Sequence, residues 1–303
     1  MNIGDSVYSE KSSYAFFKSI FTPSLRSAMK KCVSLIFYNF FYCQHRAAFL
    51  PGKIPVTKAD HPLDDKIPFV PAWVTIYLDF IQFWIRMLSF LLRRYRRRVF
   101  AHVRDFIFSM GRLYAYAAEV YMKNLSTTTR PFYISTPRFF LIHLADPHLM
   151  CIPSLHVMVV IHTYTKFGEI AKQLGEDKKL NEQILEVKQG ALAISQAILF
   201  VKQHSVNCIP AALYAMTCFS PALFTPQDAA FFTEQLFSPA PGRDKMPKGC
   251  YVHPAASPST KINEADQRQI KSHIMSLYNR FLSEKKNAKS WDEPIVNFLQ
   301  EMK

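Results

Sequence analysis

Two histidines, each within a short polar motif, are the side chains best suited to chemistry in this 303-residue chain. His156 closes a Pro-Ser-Leu-His motif at 153–156, and His204 belongs to a Lys-Gln-His-Ser motif at 202–205. Two histidines can divide covalent chemistry between them, one acting as a nucleophile and one moving protons. The pair is therefore a candidate catalytic centre.

Basic side chains precede the first of these motifs. Lys123 is followed, after six residues, by Arg130 and Pro131. A phosphomonoester carries two negative charges, which Lys123 and the planar guanidinium of Arg130 can neutralise. Ser154 and backbone amides at the start of a helix would add hydrogen-bond donors to the anion. We expect these residues to bind a phosphate group.

No metal or other cofactor is expected, because fixed cations can neutralise the transferring group. His143, Asp146 and His148 are residue types that bind zinc or other transition metals. Their spacing matches no tight metal motif, and we expect them to form a polar rim beside the site. The 8 glycines argue against a glycine-rich phosphate loop, and the 6 cysteines include no CxxC spacing.

Long apolar segments must position these motifs, since 49% of the residues are hydrophobic. A membrane span needs about 20 mostly apolar residues. The strongest candidates are Phe69–Leu92, Val99–Met122 and Ala191–Phe224, the last split near His204, and the shorter ones are Cys32–Tyr42 and Ser154–Phe167. We expect an all-α, integral membrane six-helix bundle. An all-helical soluble protein with buried helices is the alternative.

The candidate spans contain charged residues, which are costly in a bilayer unless they face a partner or the bundle interior. Asp79 and Arg86 are seven residues apart and so share one helical face. Arg104, Asp105 and Arg112 lie in the next segment. The bundle is therefore expected to have a polar interior.

The basic blocks Lys30-Lys31 and Arg93–Arg98 flank the first candidate spans, and the positive-inside rule places both in the cytoplasm. Lys123, His156 and His204 then fall on one extracytoplasmic face. The net charge of +14 suits anionic lipid headgroups. Because the arginines cluster at a hydrophobic boundary, lipid is favoured over nucleic acid as the partner. No cleavable signal peptide is expected.

The sequence divides into three parts. Residues 1–31 are expected to form an N-terminal cytoplasmic segment, residues 32–225 the membrane-embedded bundle, and residues 226–303 a polar C-terminal tail. Within the bundle, 166–189 is charged and is expected to form a cytoplasmic helical hairpin or loop. In the tail, 226–260 is a Pro-rich irregular linker, an amphipathic helix covers 270–282, and a capping box at Ser290 and Glu293 opens a short final helix.

Three motifs follow one another along the chain: the first is Lys123 with Arg130-Pro131, the second is Pro153–His156 and the third is Lys202–Ser205. In this order they resemble the motifs of the type-2 phosphatidic acid phosphatase superfamily. The second and third are also similar to variants in its sphingolipid and inositol-phosphate transferases. The resemblance implies a metal-independent lipid phosphatase acting on a phosphate monoester or pyrophosphate. His204 would form a phosphohistidine, while His156 would protonate the leaving alcohol and then activate water. A head-group transferase is the alternative within the superfamily.

The third motif departs from the family pattern at two positions. Ile198 stands where the family has arginine, and Cys208 stands where it has aspartate. Lys202 is one helical turn beyond Ile198 and is expected to contact the same phosphate. Asp146 is a candidate to replace the missing carboxylate in space. A further alternative is a catalytically degenerate membrane protein that only binds lipid phosphate.

Overall fold

The computed structural model describes residues 6–50, 52–238 and 262–303, which are mostly helical. Helices α1 to α7 are Ser12–Phe21, Pro23–Ile36, Cys43–Phe49, Val74–Leu78, Phe80–Tyr95, Phe100–Tyr121 and Pro137–Ala145. Helices α8 to α13 are Leu155–Gln173, Asn181–Phe200, Cys208–Phe219, Pro226–Gln235, Glu264–Lys285 and Glu293–Glu301. Two short parallel strands, β1 (Val56–Lys58) and β2 (Leu125–Thr127), pair with each other. The expectation of a helical fold class is confirmed.

The core is built around α6 and α8. Helix α2 packs along α6, while α8 contacts α5, α6, α9 and α10. Gly111 on α6 allows the close approach of α2, because a Cβ there would lie 3.0 Å from the Cα of Cys32. A π-helical turn, Phe37–Tyr42, joins α2 to α3. Such turns place successive side chains in directions that a regular α-helix does not offer.

The apolar segments correspond to helices with some breaks. Val99–Met122 forms α6, and Ala191–Phe224 contains the second half of α9 and all of α10, separated by a non-helical stretch at 201–207. Phe69–Leu92 is broken at Asp79, which pairs with Arg86. In the described residues, no helix alone is long and apolar enough to cross a bilayer. Pro71–Leu78 and Phe80–Tyr121, bent by 43°, meet that requirement together.

Of two connecting segments, one differs from expectation. Residues 166–189 form the hairpin alternative of the prediction, because α8 continues to Gln173, α9 begins at Asn181 and the two helices pack together. The expectation of irregular structure fails at 226–235, which form α11. There the Thr225 side chain caps the helix together with Asp228, and Pro226 sits in the first turn, where its missing N–H costs nothing. Residues 239–260 of the predicted linker lie outside the described residues.

The C-terminal helices pack on the bundle. Helix α12 contacts α10 and α11 and buries one face, as its periodicity predicts; the buried residues are Ile270, Ile274, Leu277, Tyr278 and Phe281. Helix α13 also forms, but the predicted capping box is wrong. Asp292 is the N-cap, and the Glu293 carboxylate accepts the backbone N–H of Lys289 at 2.6 Å instead.

The N-terminal segment is also part of the packed body. Helix α1 lies against α5, and the backbone N–H of Ala15 donates to the Ser89 hydroxyl at 3.0 Å. The buried Glu186 on α9 accepts hydrogen bonds from the Ser6 hydroxyl and from the backbone N–H of Val7, the latter at 3.0 Å. These contacts fix the chain ahead of α1 to the bundle.

Candidate active site

His156 and His204, which are 48 positions apart, lie side by side. Their ring centroids are 5.3 Å apart and the rings are inclined by 72°. His156 is in the first turn of α8, and His204 is in the non-helical stretch between α9 and α10. The structure therefore brings the second and third motifs together.

Backbone hydrogen bonds set the position of each motif. Ser126 on β2 holds the approach to the second motif, since its hydroxyl accepts the N–H of Ile152 at 2.8 Å. The N–H of Ser154 then donates to the carbonyl of Cys208 at 3.5 Å. In the third motif, the carbonyl of Ile198 accepts the N–H of His204 at 3.1 Å, which turns the chain sharply after α9.

Aromatic rings hold the His156 imidazole. Tyr77 stacks on it with a centroid distance of 4.5 Å, and Phe80 packs against it at 4.2 Å. Both come from the broken segment around Asp79, so that break serves to place two rings against the site. Neither contact could be predicted from the sequence, because aromatic residues are abundant throughout this chain.

A small, partly open cavity of about 40 Å³ lies between the histidines and the π-helical turn. Two buried polar atoms nearby, Nδ1 of His204 and the Ser154 hydroxyl, lack a hydrogen-bond partner among the described residues. Burial lowers the pKa of His204 well below its usual value, with His156 and His148 acting in the same direction. The imidazole of His204 is therefore neutral, with a free ring nitrogen.

A third histidine and a carboxylate line the same cavity. The ring of His148 is 6.4 Å from that of His204, and its Nε2 lies 2.9 Å from the Thr128 hydroxyl. Asp146 accepts the backbone N–H of His148 at 2.9 Å. Burial alone raises the pKa of Asp146, but its hydrogen bonds from His148 and the charge of Arg130 lower that pKa to about 2. Asp146 therefore brings a permanent negative charge to the cavity wall.

Of the three charged side chains predicted to bind phosphate, Arg130 alone lies beside the histidines and Asp146. Its guanidinium donates to the Gln203 side chain at 3.3 Å and to the carbonyl of Asp146 at 3.1 Å. Nη1 of Arg130 also lies 3.9 Å from the Asp146 carboxylate. Gln203, which neighbours His204, thus ties the first motif to the third.

Lys123 and Lys202 point elsewhere, contrary to expectation. Lys123 forms an ion pair with Asp292, the N-cap of α13. No local sequence pattern could predict this ion pair. Lys202 adopts a left-handed backbone conformation (φ 53°) and its ammonium donates to the carbonyl of Asp64. The turn after α9 breaks the helical periodicity that would have kept Lys202 on the face of Ile198.

The carboxylate missing at Cys208 is not supplied by its neighbours. Cys208 is fully buried, and the side chain of Asn207 turns toward α12, with its carbonyl oxygen 2.8 Å from Nε2 of His273. Asp64 accepts the N–H of Val206 at 2.8 Å and so fixes the backbone after His204. Among the carboxylates of the described residues, Asp146 is the one in the cavity wall.

The described residues contain no cluster of three or more histidine, cysteine, aspartate or glutamate side chains arranged to hold a metal ion. His143, grouped with Asp146 and His148 in the sequence, lies on α7 near Phe132. No family model, no curated protein and no solved structure matches this chain.

Proposed function

We propose that this chain is a membrane lipid phosphatase of the type-2 phosphatidic acid phosphatase kind, hydrolysing a lipid phosphate monoester or pyrophosphate without a metal. The juxtaposition of His156 and His204, with Arg130 beside them, is the observation that carries the proposal. These groups come from three separate motifs. Chance similarity of three short motifs gives no reason for them to meet in space.

In the proposed reaction, a ring nitrogen of His204 attacks phosphorus while the bond to the leaving alcohol oxygen breaks. The proton that this oxygen takes up comes through His156, whose buried imidazole is neutral and must first take a proton from the monoanionic phosphate ester. Water, deprotonated by His156, then attacks the phosphohistidine and the P–N bond breaks, releasing inorganic phosphate. Arg130 and the unpartnered hydroxyl of Ser154 stabilise the negative charge on the transferring group.

The small cavity is lined by Phe40 and Gln44, from the π-helical turn and α3, as well as by the histidines. The Arg130 guanidinium donates to the carbonyl of Asp146, so it must turn toward the phosphate when substrate binds. The proposed reaction therefore includes a movement of Arg130 before chemistry.

A membrane location follows from the same proposal and is supported by the surface of the N-terminal helices and α7. Large apolar side chains are exposed there; they include Phe16, Phe17, Phe21, Phe37, Phe41, Phe49, Phe140 and Leu144. Apolar surface on this scale is typical of contact with lipid or a partner. With the positive-inside rule, the site would face the extracytoplasmic side, as a multi-pass integral membrane protein.

The test is phosphate release from phosphatidate and from an isoprenoid pyrophosphate in mixed micelles containing EDTA. We expect release by the wild type, none by His204→Ala, and a loss of roughly 10²–10⁴-fold for His156→Ala. His102→Ala, remote in α6, is the matched control and should keep full activity. Head-group exchange with an added lipid alcohol, without release, would indicate the transferase instead. Binding of phosphatidate without either reaction would indicate a degenerate site and overturn the proposal.

A further inference from the structure

A second, larger cavity lies on the other side of the π-helical turn and α3. Its volume is about 520 Å³, and its walls come from this turn, from α3, from the end of α6 and from the segment around Leu149. Most of the lining is apolar or aromatic, including Tyr38, Ala47, Ile54, Ala118 and Tyr121. This composition fits a hydrocarbon chain.

Two cations line the cavity and no carboxylate does. Arg46 projects from α3 and Lys53 from the loop before β1. Both are exposed, and no carboxylate of the described residues lies within ion-pair distance of either. Cations that have no carboxylate partner among the described residues, beside an apolar cavity, favour a ligand with an anionic head on an apolar chain.

The entrance is itself apolar. Tyr38 is 58% exposed and Met122 is 51% exposed, while Leu50 and Val56 are exposed beside them. Exposed apolar side chains that surround a concave site provide a path for a hydrocarbon chain from lipid. Tyrosine suits such an entrance because its ring is apolar and its hydroxyl can stay in water.

The cavity adjoins the histidine site. Met150 lines both cavities, and the π-helical turn presents Phe40 to one and Tyr38 to the other. Tyr121, in the wall of the larger cavity, donates a hydrogen bond to the carbonyl of Pro153 in the second motif. An occupant of the larger cavity therefore touches the scaffold that holds His156.

We propose that this cavity binds a single-chain anionic amphiphile, with the chain between α3 and α6 and the head at Arg46 and Lys53. Binding at this site does not depend on turnover at the histidines. It can therefore be tested whether or not the phosphatase proposal holds.

The experiment is photo-crosslinking with a diazirine-bearing hexadecyl phosphate, using the full chain in nanodiscs of neutral phosphatidylcholine. Labelled residues are mapped by mass spectrometry, and unlabelled hexadecyl phosphate, hexadecanoate and hexadecanol serve as competitors. We expect labels on cavity residues such as Ala47 and Met150. If unlabelled hexadecyl phosphate and hexadecanoate both reduce labelling, or if hexadecyl phosphate alone does, the proposed site is supported. The competitors that reduce labelling show which anionic head group the site accepts.

Variants separate the cations from the cavity. Arg46→Gln with Lys53→Gln should weaken labelling about tenfold, whereas Arg138→Gln on α7 should not change it. Ala47→Trp fills the cavity and should abolish labelling, with Ala101→Trp on exposed α6 surface as its control. Equal competition by hexadecanol, or unchanged labelling in the double variant or in Ala47→Trp, would overturn the proposal. A wild-type protein that is labelled but releases no phosphate would count against the phosphatase proposal and not against the amphiphile site.

Discussion

The charge of Asp146 makes a measurable contribution to stability that depends on pH. Its pKa is about 2, against an ordinary value of 3.8. Since one pKa unit corresponds to 1.36 kcal/mol, ionised Asp146 stabilises the folded state by about 2 kcal/mol. Because the folded-state pKa is depressed, this stabilisation is complete above the unfolded pKa near 4. It is lost as the pH falls toward 2.

The perturbation is Asp146→Asn, which keeps an acceptor for the backbone N–H of His148 but removes the charge. At pH 7 the variant should unfold with a free energy lower by about 2 kcal/mol. The difference from the wild type should stay constant down to about pH 5 and close between pH 4 and 2. Asp105→Asn, in an exposed pair with Arg104, is the control and should change the unfolding free energy little.

The assay is equilibrium unfolding of both proteins in one mild detergent, followed by near-ultraviolet circular dichroism at each pH. A difference between wild type and Asp146→Asn that is the same at pH 7 and pH 2.5 would refute the reasoning. So would equal stability at pH 7. Neither measurement requires the protein to be active.

Three further predictions concern other sites. Arg130→Lys replaces the planar guanidinium, which can donate two parallel hydrogen bonds, by a single ammonium, so kcat/KM for phosphatidate should fall by at least tenfold in the release assay. A near-normal kcat/KM would contradict the role of Arg130 in binding phosphate. Gly111→Ala brings a Cβ to 3.0 Å from the Cα of Cys32, so the free energy of unfolding should fall by about 1–3 kcal/mol, and an unchanged value would show that α2 shifts freely. Asp292→Asn weakens the attachment of α13 at Lys123, so limited proteolysis should cut ahead of α13 faster than in wild type; equal rates would contradict this.

The helical class could be predicted from the sequence because it depends on local signals, whereas the meeting of the two motifs was predicted from the positive-inside topology and the family resemblance. Apolar runs and the polar interruption near His204 predicted α6, α9 and α10 well. The Pro-Ser start of α8 placed His156 in a first turn. To predict the contact between the two histidines, it was enough that the start of α8 and the break between α9 and α10 lie on one side of the bundle.

The residues that contact the predicted site residues could not be predicted from the sequence. Asp292 is 169 positions from Lys123, and Asp64 is 138 from Lys202, so no periodicity connects them. Lys202 was placed by extending a helix that in fact ends at Phe200. The π-helical turn at Phe37–Tyr42 likewise has no simple sequence signal, although it forms a wall of both cavities.

The most direct test of the phosphatase proposal is to find the phosphorylated residue. The protein is mixed with a short-chain phosphatidate, quenched in alkali within milliseconds, and mapped by mass spectrometry, with His156→Ala used to slow breakdown of the intermediate. Phosphate on the imidazole of His204, absent in His204→Ala, is the predicted result. Phosphate on another residue, or release of phosphate with His204 never modified, would contradict the proposed mechanism.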